Sequence, residues 1–487
     1  MRPHTSPLLV GASLALLAVS TLGVPAVAQQ HPRPAPPSSS PTVKPTATSK
    51  PSPTTKPSTT TNPTPSPTPT TKPTPTRTPT PTPTTGPTPA PTWSTVATGL
   101  DNPRLLSFSG GSLYVAESGR GGTGPCATGP EGDRVCLGST GAITKVVSKR
   151  TKVRAHKKSR STTWLTTVKQ KRVVTGLPSL AGPDGGAATG PTDVVVAGRR
   201  WTATIGLGGT PEVRAQFGSG GTLLGTLSTG TLGPDRKQHA TKQHDRRAGE
   251  DGAGATLLAD LAGHEAATDP DGNGADSNPA GLAADRKGFV AVDAGGNDLL
   301  RIAVTKSSHK SQKTGRAHAK VRTLRGTVST LAVFPQVNVP SPFPPAEGEP
   351  GEVPMDAVPT SAVKGPDGAW YVSQLTGFPF PTNGASIFRV VPGRAPTVYA
   401  TGLTNVTDLA WHRGKLYAVQ LADAGLLNVG EGQLPVGSLR VIGKGTSKVV
   451  AEGLPAPYGV ALKGDNAYVT TCAVCAGGGS VAKVPLG

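Results

Sequence analysis

The sequence predicts an all-β fold: a six-bladed β-propeller, closed by its own leading strand and preceded by a disordered Pro/Thr-rich linker. Three observations predict it. One four-stranded unit recurs six times across residues 93–487. Its strands are short and bounded by Gly, Pro, Asn and Asp turns, and no 3.6-residue period competes with them. The copies are also offset by one strand, because WSTVATGL opens the folded region as an outer strand without a blade, and the last copy lacks its outer strand.

The leader comes first. Arg2 and His4 precede an apolar run over 8–27 that ends in Ala26-Val27-Ala28, the pattern of a cleaved secretory signal peptide over residues 1–28. Gly11, Ser13, Ser20, Gly23 and Pro25 interrupt the run. No other apolar stretch approaches the ~20 residues that span a bilayer, so no transmembrane anchor is expected. The mature chain is expected to be secreted. Residues 29–92 are nearly all Pro, Thr, Ser and Lys and contain no acid. Such a low-complexity tract cannot offset the entropy of folding, and it is expected to be a disordered, extended spacer with hydroxyls open to glycosylation.

The propeller is expected over 93–487. Blade 1 reads PRLLSFS, SLYVAES, GAITKVV and RVVTGL, and blade 2 reads PTDVVVA, WTATIG, GTLLGTL and ATLLADL. Blade 3 has PAGLAAD, GFVAVD, LLRIAV and GTVSTLAVF, and blade 4 has PTSAVKG, AWYVSQ, SIFRVV and PTVYATGL. Blade 5 has NVTDLAW, KLYAVQ, SLRVI and SKVVAEGL, and blade 6 stops after PYGVALK, NAYVTT and SVAKVPLG. Pairing WSTVATGL with that last segment closes the ring and leaves few exposed edges. A β-sandwich would not need six copies in phase.

The formal charge of +20 is uneven. Residues 1–92 carry seven bases, 148–172 carry ten and 305–326 carry seven, with no acid in any of the three. The remainder is therefore slightly acidic. The insertions 148–172 and 305–326, and a mixed-charge one at 231–254, fall between third and fourth strands, where solvated mobile loops are expected. Attraction to an anionic cell envelope is the next reading. Specific nucleic-acid recognition is not expected, since the loops offer one aromatic residue, Trp164, for stacking.

Cys126 and Cys136 fall between the second and third strands of blade 1, and Cys472 and Cys475 occupy the same connection in blade 6. In an oxidising compartment local pairing is the first expectation, with cross-pairing between the closing blades and a four-thiolate zinc site as alternatives. DPDGNGAD, residues 269–276, resembles the start of a calcium loop but has Ala280 where such loops place a closing Glu. A solvated turn is the simpler reading.

Propeller ligands bind at the axial mouth, so inner-strand entries and second-strand exits matter most. The entries are Asn102, Arg104, Asp193, Asn278, Ser361, Asp408 and Tyr458, and the exits are Glu117, Asp293, Gln374 and Gln420. Glu117, Asn278, Asp293 and Asp408 are the candidate ligands for a divalent cation such as calcium. A water-filled channel with a polar rim explains the same residues without chemistry. His264 and His412 lie outside the leader and the insertions, and no Ser/His/Asp triad is apparent.

Several segments in order, GLDNPRLL, LYVAESGRGG, GPCATGPEGDRVCLGSTGAITKV, DSNPAGLAAD, VDAGGNDLLRI, GEVPMDAVPTS, YVSQLTGFPFP and CAVCAGGGSVAKV, together resemble the ScyD/ScyE family. The resemblance implies an exported six-bladed propeller of the NHL and gluconolactonase-like type, many of whose members have no assigned activity. The basic insertions and the spacer depart from that family's pattern. Two functions follow as expectations. The first is a monomeric extracellular binding or scaffold module displayed on a spacer. The alternative is a metal-dependent hydrolase of lactonase type acting at the axial mouth.

Overall fold

The recurrent Gly-Leu ending of the outer strands is a backbone device. Gly99, Gly176, Gly402 and Gly453 all sit at positive φ, between 68° and 82°, which a side chain would disfavour. Each bulges its strand so that the following Leu turns inward. Ser94–Leu100 and Thr397–Leu403 consequently share one burial pattern, with Ala97 and Leu100 buried in the first and Ala400 and Leu403 in the second. The leading segment is thus built as an outer strand.

The computed structural model describes residues 93–129, 132–154, 162–233, 254–310, 320–345 and 351–486. The expected signal peptide 1–28 and linker 29–92 lie outside the described residues, as does 234–253 within the third insertion. Six antiparallel sheets form the blades. Their inner strands are Pro103–Ser109, Pro191–Ala197, Pro279–Asp285, Pro359–Lys364, Val406–His412 and Val460–Lys463. Ser94–Leu100 pairs antiparallel with Gly479–Pro485, so the chain's leading strand completes blade 6, as the offset repeats predict.

Second strands such as Ser112–Glu117, Trp370–Gln374 and Lys415–Gln420 are buried almost end to end, because blades cover both their faces. Hydroxyls bind neighbouring blades together through backbone carbonyls. Ser118 donates to Pro191, Thr204 to Ala280, Thr360 to Val406, Thr407 to Tyr458 and Thr470 to Arg104. The last of these spans the closure.

Three expectations are corrected. The basic insertions of blades 1 and 3 are not mobile loops in their described parts. They prolong the third and fourth strands into hairpins, Arg134–Arg154 with Thr162–Ala181 and Asp298–Lys310 with Lys320–Val333. Lys149 and Arg150 stand opposite Thr167 and Thr166, whereas Lys145 stands opposite Lys171. The first hairpin also holds the closing strand, since Gln170 exchanges hydrogen bonds with the backbone N–H and carbonyl of Thr98. Second, GTLLGTL is not the third strand of blade 2. Gly218–Gly221 forms a 3-10 turn and the strand is Thr226–Thr231. Third, helices occur at Pro211–Ala215 and Leu261–Thr268, each started by a side-chain cap, Thr210 and Asp260. No helix among the described residues is long and apolar enough to cross a membrane.

Candidate functional site

The second-strand exits turn out to be architectural. Each accepts a hydrogen bond from the backbone of its own blade. Glu117 accepts from Asp101 N (2.8 Å), Asp293 from Asn278 N (2.6 Å), Gln374 from Ser386 N (2.9 Å) and Gln420 from Thr404 N (3.1 Å). Glu117 is further engaged by the Thr144 hydroxyl and by Arg172, whose Nη2 lies 2.6 Å from Oε2 and 3.0 Å from Asp101. Asp293 also takes the Ser277 hydroxyl at 2.6 Å and Gly296 N at 3.3 Å. Burial still raises the Asp293 carboxyl, against those hydrogen bonds.

The acids at the inner-strand entries join blades. Asp193 accepts from Val194 N of its own strand (2.6 Å) and from Leu282 N of blade 3 (2.7 Å). Asp408 repeats this between blades 5 and 6, accepting from Leu409 N and Val460 N, both at 2.7 Å, and from the Ser361 hydroxyl of blade 4 at 2.6 Å. Burial pushes Asp408 up to about 7. Asp193 is raised well above the carboxylate range, first by burial and then by Asp408. Asn102 instead ties the turn into blade 1, donating to the carbonyls of Gly119 and Gly185.

Arg104 differs from all of these. It is 2% exposed, donates to the Ala188 carbonyl (2.8 Å) and the Ser118 hydroxyl (3.3 Å), and lies 5.1 Å from the Tyr458 ring centroid. Its Nη1 has no hydrogen-bond partner, and no carboxylate among the described residues is within ion-pair distance. Burial pulls the guanidinium below its ordinary value, and the nearby Tyr458 opposes that. Arg104, Ser118, Thr189, Asn278, Thr360 and Tyr458 are among the residues around a cleft on the propeller axis with a cavity volume of about 30 Å³. The expected mouth residues are therefore brought together only in part. Arg104, Asn278 and Tyr458 share the cleft, while Glu117, Asp193, Asp293, Gln374, Asp408 and Gln420 are occupied by backbone.

The four expected metal ligands, Glu117, Asn278, Asp293 and Asp408, are not gathered at one point. The one group of acidic side chains among the described residues with ligand atoms within 4.8 Å of one another is Glu265, Asp269 and Asp271. Asp269 and Asp271 begin the loop singled out in the sequence. Glu265 lies on Leu261–Thr268, in a stretch with no helical period long enough to be noticed. Burial and then the carboxylates of Asp293, Asp271, Asp269 and Asp276 push it up to about 8. Burial, followed by Asp293, Asp356 and Asp271, pushes Asp276 up to about 7.

Both disulfides are local, Cys126–Cys136 across adjacent strand segments and Cys472–Cys475 within a turn. Cross-pairing and a zinc site are thereby set aside. His264 and His412 serve structure: their rings bond to the Thr330 hydroxyl and the Gly464 carbonyl.

No family model matches the chain, and no curated protein matches it. Solved structures do. A protein of unknown function from Dyadobacter fermentans DSM 18053 is 11% identical over 81% of this chain and 98% of its own, with a TM-score of 0.33. Apo AztD from Citrobacter koseri is 13% identical over 78% of this chain and 89% of its own, with a TM-score of 0.27. The computationally designed Ika8 protein is 9% identical over 77% and 70%, also with a TM-score of 0.27. Likenesses of this strength carry no argument about what the chain does.

Proposed function

We propose that the chain is an exported binding module whose axial cleft takes a small anionic ligand, most simply a carboxylate. Arg104 carries the reading. A buried guanidinium without a counter-charge is costly, and a ligand anion on its open Nη1 would supply both the charge and the missing hydrogen bond. Tyr458 gives an aromatic wall, and Ser118, Thr189, Asn278 and Thr360 give polar atoms to orient the rest of the ligand. The signal-like leader and the Pro/Thr tract suit a domain held away from the cell surface. The resemblance to the ScyD/ScyE pattern suits an exported propeller, and the basic hairpins would add weak, salt-sensitive attraction to anionic envelope polymers. The lactonase-type alternative draws no support from its four ligands, since Glu117, Asp293 and Asp408 do not bring their carboxylates together.

Thermal shifts of the full exported chain with formate and acetate, set against formamide and acetamide, test the reading. Wild type is expected to be stabilised by at least one carboxylate. Arg104→Met, folded by circular dichroism, is expected to lose that response. An unchanged response in the variant would overturn the assignment.

A further inference from the structure

We propose that Glu265, Asp269 and Asp271 form a calcium site, with Asp276 and Asp298 adding negative charge beside it, that pins the blade 2 to blade 3 connection. This stands independently of the axial cleft. Glu265 is 1% exposed, and neither of its carboxylate oxygens has a hydrogen-bond partner. It is aimed at Asp269 and Asp271, with one ligand oxygen from each of the three within 4.8 Å of the others. Two oxygens on one calcium ion bound at ~2.4 Å are at most about 4.8 Å apart, so all three carboxylates can reach a single ion. Two further buried oxygens, Oδ1 of Asp276 and Oδ1 of Asp298, are likewise unpartnered. None of these five carboxylates is in an ion pair among the described residues.

So many acids facing one another without a cation repel, and a hard divalent ion removes that repulsion. Carboxylates in this number, on a loop that can adjust its ligand distances, favour calcium over magnesium, which needs a tight octahedron and retains water. The ion would connect the helix Leu261–Thr268 to the loop from Asp269 to Asp276. Asn297 already couples the loop to the next blade. Its side-chain amide donates to Asp271 at 2.9 Å, and its oxygen accepts from Val358 N at 2.9 Å. A cation held on Asp271 would therefore stiffen the approach to blade 4 as well.

The test is calorimetric titration of the full exported chain, treated with EGTA, using calcium chloride and then magnesium chloride. One calcium per chain is expected, with a Kd at or below ~1 mM, the range of extracellular calcium modules, and a thermal midpoint that rises with calcium. Glu265→Gln is expected to weaken calcium binding at least ~10-fold while the protein stays folded. Asp271→Asn, at a half-buried position, should weaken it independently and carries the test if the first variant fails to fold. Asp367→Asn, in an ion pair on blade 4, should leave calcium binding unchanged. No calcium uptake by wild type, tighter binding of magnesium, or wild-type affinity in a folded Glu265→Gln or Asp271→Asn protein would each overturn the site.

Discussion

Asp408 and Glu265 are both buried acids in the same propeller, yet they stand at opposite ends of a scale. Asp408 spends its oxygens on Leu409 N, Val460 N and the Ser361 hydroxyl, so three consecutive blades meet at one carboxyl. Glu265 is as well hidden and spends none. Burial therefore does not separate a structural acid from a binding one. What separates them is whether backbone donors consume the lone pairs, because an unmet buried oxygen has a cost that only a ligand, a cation or a proton can offset.

Asp408→Ala is expected to have the largest effect. Removing the carboxyl leaves two N–H groups and a hydroxyl unmet between packed blades, and a loss of about 3–5 kcal/mol in urea unfolding is expected, the scale seen when one partner of a buried charged contact is deleted. A loss below about 1 kcal/mol would mean that water replaces the carboxyl and that the acid is not a keystone. Glu117→Gln should cost less, on the order of 1–3 kcal/mol. Its amide would turn donors toward Arg172, but Arg172 is 37% exposed and can turn to solvent.

How much of this could be read from the sequence depends on how local the information is. The closing strand was legible because Gly99-Leu100 repeats a backbone bulge that Gly402-Leu403 and Gly453-Leu454 also need, and a bulge leaves its mark in consecutive residues. The positions of Asp193 and Asp408 at strand entries were legible for the same reason. Their direction was not, since Leu282 N and Val460 N belong to the next blade and only ring geometry brings them near. The calcium-like loop was half legible. Asp269 and Asp271 are in it, but the acid expected at Ala280 is absent, and the third carboxylate comes from four residues before the loop, on a one-cap helix too short to show a period. The basic hairpins misled because charge suggested loops, whereas alternating Thr, Val and Lys can equally extend a ladder.

The Asp408 carboxyl is raised from 3.8 to about 7, so between those values the folded chain keeps a proton that the unfolded chain has released. Its contribution is thus full below about pH 4 and is lost as pH rises through about 7. Urea midpoints measured from about pH 5 to about pH 8 in EGTA should fall, and less steeply in Asp408→Asn. The variant keeps a residual slope, because Asp193 is raised too. An identical slope in both proteins would place the titrating group elsewhere.

The smallest expected effect is the most telling. Glu265→Gln, measured in EGTA, should change stability by no more than about 0.5 kcal/mol, and any change should be a gain. No donor is abandoned, because none reaches the Glu265 oxygens. The amide sets N–H groups beside Asp269 and Asp271, and these can donate to their carboxylates. Glu117→Gln is the same chemical change made where every oxygen is engaged, so the two variants differ only in what surrounds the carboxyl. If Glu265→Gln in the absence of cation cost as much as Glu117→Gln, Glu265 would be holding the fold as Asp408 does, and the distinction between occupied and open carboxylates would fail.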